Sequence, residues 1–322
     1  MAAEVDLRLL RYFVATAEEL HFGRAAARLH LSQPTLSVQI RRLERMLGVQ
    51  LLDRSSRHVA LTAAGAVFLE ESRRLLTSAE RAVEAARQAA EGSRGRLVVG
   101  FLANAAAELT HRVLQTFHTS QPGVQVELQQ FGFGDPSAGL ASGATDVAFV
   151  RPPLAEEDGL CVEPLFGEPR MLAVASDLPL AAEPAVPLER LLDEPFVARR
   201  APDYWRDFWL AADRRDGHPV RIGAEAATVD ECFEAILDGR GVAFTQASSR
   251  RYYARPGLSF VPVTGLPPCS VAVAWRRDAA TPLVRDFVAL ARHLAVLEPV
   301  PDSTSAPSLG VGIDSAAPSP RR

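Results

Sequence analysis

Residues 7–48 carry apolar positions at the three- and four-residue spacing of helices, which predicts three short helices around one small core. The opening helix has its apolar stripe at Leu7, Leu10, Val14 and Ala17. The second helix presents Ala25, Ala26 and Leu29 on one face. The third repeats the spacing at Leu36, Ile40, Leu43 and Leu47.

A tight turn separates the second helix from the third, because only His30, Leu31 and Ser32 lie between them. Ser32 is placed to cap the third helix, since its hydroxyl can accept a hydrogen bond from a free amide of the first turn. Pro34 falls in that first turn, where its missing N–H costs little. This spacing fits a DNA-binding helix-turn-helix, and it equally fits an ordinary helical hairpin with a solvated polar face.

The polar face of the third helix has residue types that suit DNA. Short hydroxyls and an amide near the helix start suit base edges, and arginines further along suit phosphates. The candidate DNA contacts here are Ser32, Gln33, Pro34, Thr35, Ser37, Val38, Arg41 and Arg42. After this helix, residues 49–61 predict a small β-hairpin, or wing, that carries Arg54 and Arg57.

Several motifs in this stretch together resemble the N-terminal winged helix-turn-helix of LysR-type transcriptional regulators. They are AAARLHLSQPTLS, IRRLERMLG, LLDR and LTAAG, within residues 25–65. On this resemblance, the helix that contacts bases and backbone carries Gln33, Thr35, Ser37 and Arg42, and the wing carries Arg54 and Arg57. Val38 departs from the family pattern, because many members have arginine or another polar residue there. A valine cannot hydrogen-bond a base, although it can contact a thymine methyl group.

A long helix follows, from a cap at Thr62 to about residue 90. Small and apolar positions alternate along it at spacings of three and four, at Leu69, Ser72, Leu76, Ala79, Val83, Ala86 and Ala90. The helix can pack on its own domain, but residues 1–62 have little surface left to cover it, which favours a dimer seam. The predicted dimerisation residues are Leu69, Leu76, Ala79 and Val83. In the family this helix pairs two DNA-binding domains, which implies an inverted-repeat operator in double-stranded DNA.

Strands and helices alternate from residue 95 onward, which predicts an α/β effector domain with ligand at the carboxyl ends of parallel strands. The predicted strands are 96–101, 124–131, 145–150, 169–175, 195–198, 220–223, 242–245 and 270–275. The predicted helices are 109–117, 137–142, 203–212, one that ends near 239 and begins at a capping box of Thr228 and Glu231, and 282–297.

The segments GRLVVGF, LASGATDVAFV and AILDGRGVAF resemble the family's effector domain, which has two lobes like a periplasmic binding protein. The predicted fold is therefore mixed, with a winged helix-turn-helix, a long linker helix and a two-lobed α/β domain. The predicted bounds are 1–62 for the DNA-binding domain, 63–91 for the linker and dimerisation helix, 95–300 for the effector domain and 301–322 for a disordered tail. The first lobe is assigned to about 95–168 and 276–300, and the second to about 169–275.

Carried over by position, the cleft between the lobes has one set of candidate effector contacts. These are Asn104, Phe133, Arg151, Arg199, Arg200, Thr228, Asp230 and Gln246. Asn104 stands where a hydroxyl residue is frequent and Gln246 where a proline is common, so the resemblance names no effector. The three arginines suit a carboxylate ligand, with surface or inter-lobe salt bridges as the alternative, and Asp230 argues against a simple anion.

The distribution of charge along the chain supports DNA binding better than the net charge does. The 322-residue protein has a net charge of −4, but residues 1–62 hold nine arginines against six acidic residues. A locally positive surface can bind phosphates on an acidic chain. No apolar run reaches membrane-spanning length and the N-terminus lacks the pattern of a signal peptide, so we expect a cytoplasmic protein without a membrane partner.

Other function classes find little support. The sequence has no P-loop, nucleophile elbow, HExxH motif or dinucleotide fingerprint, so we expect neither an enzyme nor a cofactor. The histidines show no metal spacing, and Cys161, Cys232 and Cys269 suit neither a disulfide framework nor a metal site, which leaves a thiol switch as a minor alternative. A solute-binding protein would need export and would not carry the first ninety residues. The resemblance implies a regulator with a small-molecule effector, assembled as a homodimer and homotetramer and acting on RNA polymerase.

Overall fold

The computed structural model describes residues 5–54, 59–90, 95–104, 106–155 and 159–297. The predicted disordered tail at 301–322 lies outside these ranges. The elements through the linker helix are α1 (Leu7–Glu19), α2 (Phe22–Arg28), α3 (Gln33–Leu47), β1 (Leu52–Arg54), β2 (Val59–Leu61) and α4 (Ala63–Ala90). Beyond them lie β3 (Arg96–Leu102), α5 (Glu108–Ser120), β4 (Gln125–Phe131), β5 (Val147–Val150), β6 (Leu160–Glu168), β7 (Arg170–Ala175), β8 (Val186–Pro187), β9 (Pro195–Arg199), α6 (Asp203–Leu210), β10 (Arg221–Ala226), α7 (Val229–Leu237), β11 (Ala243–Gln246), α8 (Ser249–Tyr252), β12 (Leu258–Thr264), β13 (Cys269–Arg276) and α9 (Pro282–Leu297).

The first three helices and the start of α4 share one apolar core. The predicted stripe of α1 is wrong at Leu7, which is 42% exposed, while Leu9 and Phe13 are buried. The reason is that α4 also packs on α1, so the buried face of α1 turns toward the Phe68 ring, 5.3 Å from that of Phe13. Leu10 and Ala17 are buried as predicted.

Local hydrogen bonds confirm the predicted helix starts. The hydroxyl of Ser32 accepts from the backbone N–H of Thr35 at 3.3 Å, and Pro34 lies in the same first turn. Thr62 caps α4 by accepting from the N–H of Gly65 at 2.9 Å. In the wing, β1 pairs antiparallel with β2.

The first lobe of the effector domain is built on a five-stranded sheet in the order β4-β3-β5-β13-β6. Strand β3 runs parallel to β4 and β5, as predicted, but β13 runs antiparallel to β5 and β6. The sheet is therefore mixed, because the chain returns from the second lobe to supply a strand. The predicted lobe boundary at 275/276 falls inside β13, so residues 269–275 belong to the sheet of the first lobe.

The second lobe contains a four-stranded sheet in the order β11-β7-β12-β8 and a separate parallel pair of β9 and β10. Strand β7 runs antiparallel to both β11 and β12, which again differs from the predicted parallel arrangement. The predicted helix at 137–142 is a series of turns. Strands β6 and β12 were not predicted, since Pro164 and Pro262 interrupt their apolar patterns.

Gly65 marks a close approach between the wing and α4, and it yields a stability prediction. A Cβ atom at this position would lie 1.9 Å from the carbonyl oxygen of Leu51. Helix propensity alone favours Gly65→Ala by about 1 kcal/mol, but we expect the clash to lower the free energy of unfolding by about 1–3 kcal/mol. Ala64→Gly, at an exposed neighbour, should cost only the propensity difference of about 1 kcal/mol. Denaturant unfolding measures both, and a Gly65→Ala protein as stable as wild type would contradict the close approach.

Candidate functional site

Helix α3 has one buried face and one outward face. Leu36, Ile40 and Leu43 are fully buried in the N-terminal core. Val38 lies two residues from both Leu36 and Ile40, which places it on the opposite side of a helix with 3.6 residues per turn. It is 50% exposed, with Arg41 exposed beside it. An apolar side chain therefore lies on the outward face, one turn before the exposed Arg41 and Arg42.

The first turn of α3 has its polar groups partly engaged with one another. The hydroxyl oxygens of Ser32 and Thr35 are 2.7 Å apart. Gln33, Pro34 and Thr35 are exposed, and Ser37 is half-buried. The first turn therefore presents exposed polar groups, with the Ser32 and Thr35 hydroxyls bonded to each other. Of the predicted wing contacts, Arg57 and the side chain of Arg54 lie outside the described residues.

An ion-pair network on Glu18 joins α4 to the helix-turn-helix. Arg28 of α2 donates to the Glu18 carboxylate at 2.8 Å, and Arg73 of α4 donates to its other oxygen at 3.1 Å. Burial alone would raise the pKa of Glu18, but the hydrogen bonds from Arg73 and Arg28 outweigh it and hold that pKa below its ordinary value. The ionised carboxylate therefore ties the linker helix to both α1 and α2 at neutral pH.

A pocket lies where the two lobes of the effector domain meet. It is lined by Leu102, Ala103, Phe133, Arg151, Arg199, Trp205, Trp209, Val229, Cys232, Phe233, Ala243, Phe244, Thr245, Gln246 and Ser249. Its cavity volume is about 30 Å³, room for about two water molecules. A ligand with more than a few non-hydrogen atoms therefore has to displace aromatic side chains or separate the lobes.

Arg151 and Glu168 form a buried ion pair beside this pocket. Arg151 donates to Glu168 Oε1 at 2.6 Å, and the side chains are 5% and 6% exposed. The second carboxylate oxygen accepts from the backbone N–H of Ser248 at 2.8 Å. Burial would raise the pKa of Glu168, but the charge of Arg151 and these hydrogen bonds hold it below its ordinary value. Arg151 was predicted either to bind a carboxylate ligand or to form a salt bridge; it forms the salt bridge, and it also lines the pocket.

Arg199 has a different environment, in which aromatic side chains surround its guanidinium group. Its guanidinium carbon lies 3.9 Å from the ring centre of Trp209 and 5.2 Å from that of Phe133. One guanidinium nitrogen donates to the carbonyl of Phe244 at 2.8 Å. Burial lowers the pKa of Arg199 to about 10, so the side chain stays charged at neutral pH.

A hydrogen-bond bridge crosses between the lobes at the rim of the pocket. Gln246 of β11 donates from its side-chain amide to the Asn104 carbonyl oxygen at 2.9 Å. Asn104, which follows β3, donates in turn to the hydroxyl of Ser248 at 2.8 Å. The two positions that depart from the family pattern are therefore bonded to each other.

Two parts of the chain match profiles of one protein family. Residues 7–66 match the bacterial regulatory helix-turn-helix protein of the lysR family, and residues 90–295 match the LysR substrate binding domain. The chain belongs to the LysR family of transcriptional regulators. The family resemblance and the fold class predicted from the sequence are thereby confirmed.

Individual relatives are similar in sequence and in structure to nearly the whole LysR-family chain. The HTH-type transcriptional regulator AlsR of Bacillus subtilis is 33% identical over 288 residues, which cover 88% of this chain and 94% of AlsR. The crystal structure of CbnR, a LysR family transcriptional regulator, is 28% identical, covers 90% of this chain and 99% of its own, and gives a TM-score of 0.63. Full-length CbnR complexed with its target DNA gives a TM-score of 0.50 at the same identity, covering 90% of this chain and 100% of that chain. The chain is thus a DNA-binding transcriptional regulator with an effector-binding domain, in a family of regulators and not of enzymes.

Four residues predicted to edge the effector cleft of this LysR-family chain do not line the pocket: Asn104, which bonds Gln246 at the rim, and three residues of the second lobe. Arg200 is exposed and lies 4.0 Å from Glu225. Asp230 is also exposed and pairs with Arg255 at 2.7 Å. Thr228 instead caps α7 by accepting from the N–H of Glu231 at 3.2 Å. The motifs correctly located the start of α7, but the orientation of its first turn directs these groups away from the pocket.

The pocket also contains residues that were not predicted, chiefly Trp205 and Trp209 of α6. Two tryptophans four residues apart share one face of a helix, and this spacing was the available signal. The buried carboxylate of Glu168 was missed as well, because it ends a strand that the sequence pattern did not reveal.

The predicted dimer seam on α4 is only partly available to a partner. Leu69 is 8% exposed and packs in the core of its own domain, so its predicted dimer role is corrected. Leu76 and Ala79 are half-buried, and Val83 is 52% exposed. Leu75, which was not predicted, is also 52% exposed. The apolar surface of α4 is therefore rotated from the predicted seam, because α1 takes the face that carries Leu69.

Neither a membrane-spanning helix nor a metal-binding cluster is found in the described part of the chain. No helix there is long and apolar enough to cross a membrane. Within the same ranges no cluster of three or more His, Cys, Asp or Glu side chains could hold a metal ion. Cys161, Cys232 and Cys269 are free thiols, and burial raises the pKa of Cys232 to about 11, so that thiol is not activated.

The buried ion pair gives a prediction about stability and pH. Glu168→Gln leaves Arg151 buried without its counter-charge, and we expect a loss of about 3–5 kcal/mol in the free energy of unfolding at pH 7. Replacing both partners, as Arg151→Met with Glu168→Met, should cost much less, since no unpaired charge remains. Denaturant unfolding of the three proteins measures the difference.

The pH dependence of the same variant follows from the lowered pKa of Glu168. The stabilisation by the ionised carboxylate is fully present above its ordinary pKa of 4.5 and is lost as pH falls through the lower folded value. The stability gap between wild type and Glu168→Gln should therefore be constant at neutral pH and shrink below about pH 4.5. A gap that widens in acid would contradict the assignment of the charged pair.

Proposed function

We propose that this LysR-family regulator binds an inverted-repeat operator as a homodimer through the outward face of α3, and that a small molecule in the inter-lobe pocket controls the outcome. The observation that supports it most directly is the outward face of α3, with exposed Gln33 and Thr35 in the turn before Val38 and exposed Arg41 and Arg42 in the turn after it. A helix held this way by a small core suits the major groove.

The proposed roles on α3 follow from side-chain chemistry. Gln33, Thr35 and Ser37 offer amide and hydroxyl groups to base edges near the helix start. Arg41 and Arg42 lie further along the exposed surface and suit phosphates. Arg54 and Arg57 of the wing are proposed to contact the backbone beside the groove.

The proposed dimer forms along α4. Its exposed face carries Leu75, Ala82, Val83 and Ala86, with Ala79 half-buried beside them. Small residues let two helices approach closely, and two-fold pairing places two copies of α3 on successive half-sites. By resemblance to the family, two such dimers form a homotetramer that acts on RNA polymerase.

Control by a ligand requires that the ligand bind two arrangements of the protein with different affinities. The pocket lies between the lobes and its present cavity holds about 30 Å³, so occupancy changes how the lobes meet. A ligand shifts an equilibrium only by its difference in affinity for the two states. Lobe closure is therefore the proposed switch.

The experiment that tests this function is a selection of genomic fragments by the purified protein. We expect enrichment of a few intergenic fragments that share an inverted repeat, and loss of that enrichment for a variant with Ser37→Ala and Arg42→Ala. Glu189→Ala, at an exposed residue of the second lobe, is the matched control and should behave as wild type. Equal enrichment by the wild type and the α3 variant would contradict the proposal.

A further prediction concerns contact between Val38 and the methyl group of one thymine. If Val38 packs on a thymine methyl, replacing that thymine by deoxyuridine should weaken operator binding about fourfold, the worth of one buried methyl group. The Val38→Ala protein should lose this dependence on the methyl group. Fluorescence anisotropy with operators substituted one thymine at a time measures it. Methyl dependence that is absent from the wild type, or that persists in Val38→Ala, would count against the contact.

The dimer is tested by charge on α4. Leu75→Glu should lower the sedimentation mass to that of a monomer, because a carboxylate would be buried in the apolar seam. Thr77→Glu adds the same charge on the far side of the helix and should leave the mass unchanged. A dimeric Leu75→Glu protein would rule out this face as the seam.

A further inference from the structure

Positive charge is in excess where the two lobes meet. Arg151, Arg170 and Arg199 are 4%, 4% and 8% exposed, yet among the described residues only Glu168 forms a salt bridge with any of them. Glu168 neutralises Arg151, and its remaining oxygen accepts from a backbone N–H. Two buried guanidinium groups are thus left without a carboxylate partner in the described part of the chain. Isolated buried charge is costly, so such groups require some other compensation.

Arg199 is the cation that faces the pocket. Its single hydrogen bond in the described structure is to the carbonyl of Phe244, and its Nε, which is buried, has no hydrogen-bond partner. The faces of Trp209 and Phe133 compensate part of its charge through cation–π contacts. The unbonded N–H belongs to a side chain on the wall of a pocket that is otherwise lined mainly by apolar side chains.

Two other buried arginines show what a purely structural guanidinium looks like in this protein. Arg215 is 1% exposed and donates to two backbone carbonyls, of Leu210 at 3.1 Å and Leu192 at 3.2 Å. Arg170 donates to the carbonyl of Phe208 at 2.9 Å and stacks on that ring at 4.0 Å. Neither lines the pocket. Arg151, Arg170 and Arg215 also each have one buried nitrogen without a hydrogen-bond partner, so the unbonded donor alone does not distinguish Arg199. Among the described residues, Arg199 is distinguished by a position on the pocket wall together with the lack of a carboxylate partner.

We infer that the pocket takes a small monocarboxylate, with its carboxylate on the Arg199 guanidinium and its apolar body among Phe133, Trp205, Trp209 and Phe233. A carboxylate accepts the two N–H groups of a guanidinium edge in a fork geometry, which would satisfy the unbonded Nε. A second carboxylate on the ligand would be repelled by Glu168 beside Arg151 or lie against apolar rings. This inference rests on the proposed function, because it names the chemical class of the proposed effector.

Tryptophan fluorescence of the full chain tests it, since Trp205 and Trp209 are two of the three tryptophans. The probes are the sodium salts of acetate, butanoate and cyclohexanecarboxylate, with the matching primary amides as neutral controls, at an ionic strength held constant with sodium chloride. We expect a saturable fluorescence change with at least one carboxylate and none with its amide. Saturation by an amide at the same concentration, or no change with any of the three carboxylates, would overturn the inference.

Variants at adjacent arginines locate the carboxylate. Arg199→Met should weaken binding of the responding carboxylate at least tenfold, while Arg200→Met, which removes the same charge from an exposed neighbour, should change it less than twofold. Arg199→Lys keeps the charge but not the fork and should bind with intermediate affinity, which covers the case in which Arg199→Met does not fold. Thermal unfolding checks both variants. Undiminished binding by a folded Arg199→Met or Arg199→Lys protein would overturn the assignment.

Operator binding, measured with the same proteins, separates this inference from the proposed function. Binding of selected operator fragments that responds to a neutral compound and to none of the carboxylates would overturn the ligand class and leave the regulator intact. Operator selection that does not depend on Ser37 and Arg42 would overturn the proposed function itself. Operator binding that shifts with the responding carboxylate in wild type, but not in Arg199→Met, supports both.

Discussion

The balance of buried charge between the lobes is the constraint on which the effector domain depends. Three guanidinium groups and one carboxylate lie at the junction of the two lobes, where water is largely excluded. The Arg151–Glu168 pair spans from the end of β5 to the end of β6, and the N–H of Ser248 in the second lobe completes it. The lobes are therefore held together by a network in which Arg151 is paired, while Arg199 lies on the pocket wall without a carboxylate partner among the described residues.

The same junction is close to the linker helix. Phe133 lines the pocket, and residues 134–137 follow it in the chain; Trp205 also lines the pocket, and Tyr204 precedes it. Residues 134–137 and Tyr204 line a groove together with Glu70 and Arg73 of α4. Arg73 in turn bonds Glu18, which also receives Arg28 of the helix-turn-helix. The segments next to the pocket and α4 therefore lie on opposite sides of one groove, and α4 is bonded to the DNA-binding domain through ionised contacts.

Much of the secondary structure of residues 7–90 was predictable from the sequence, because its determinants are local. Ser32, Pro34 and Thr62 mark helix starts through bonds within a few residues, and the stripe of α3 follows one period. Errors arose where a distant segment decides the outcome. Leu7 is exposed and Leu69 buried because α1 and α4 pack on each other, and β13 runs antiparallel in the first sheet because the chain returns from the second lobe to supply it. In the pocket, position along the chain located Phe133, Arg199 and Gln246, but the partners of each arginine depend on how two lobes meet, which no local pattern encodes.

The central claim is that occupancy of the inter-lobe pocket is transmitted to the linker helix, and hydrogen–deuterium exchange of the operator-bound protein measures it most directly. Exchange would be compared with and without a bound carboxylate. We expect altered protection in peptides covering 199–210 and 243–249 around the pocket, in 66–78 of α4 and in α1. Glu18→Gln, which removes the ion pair between α1 and Arg73 of α4, should abolish the change in α1 and leave the others. Changes confined to the pocket, with α4 and the helix-turn-helix unaltered, would contradict it.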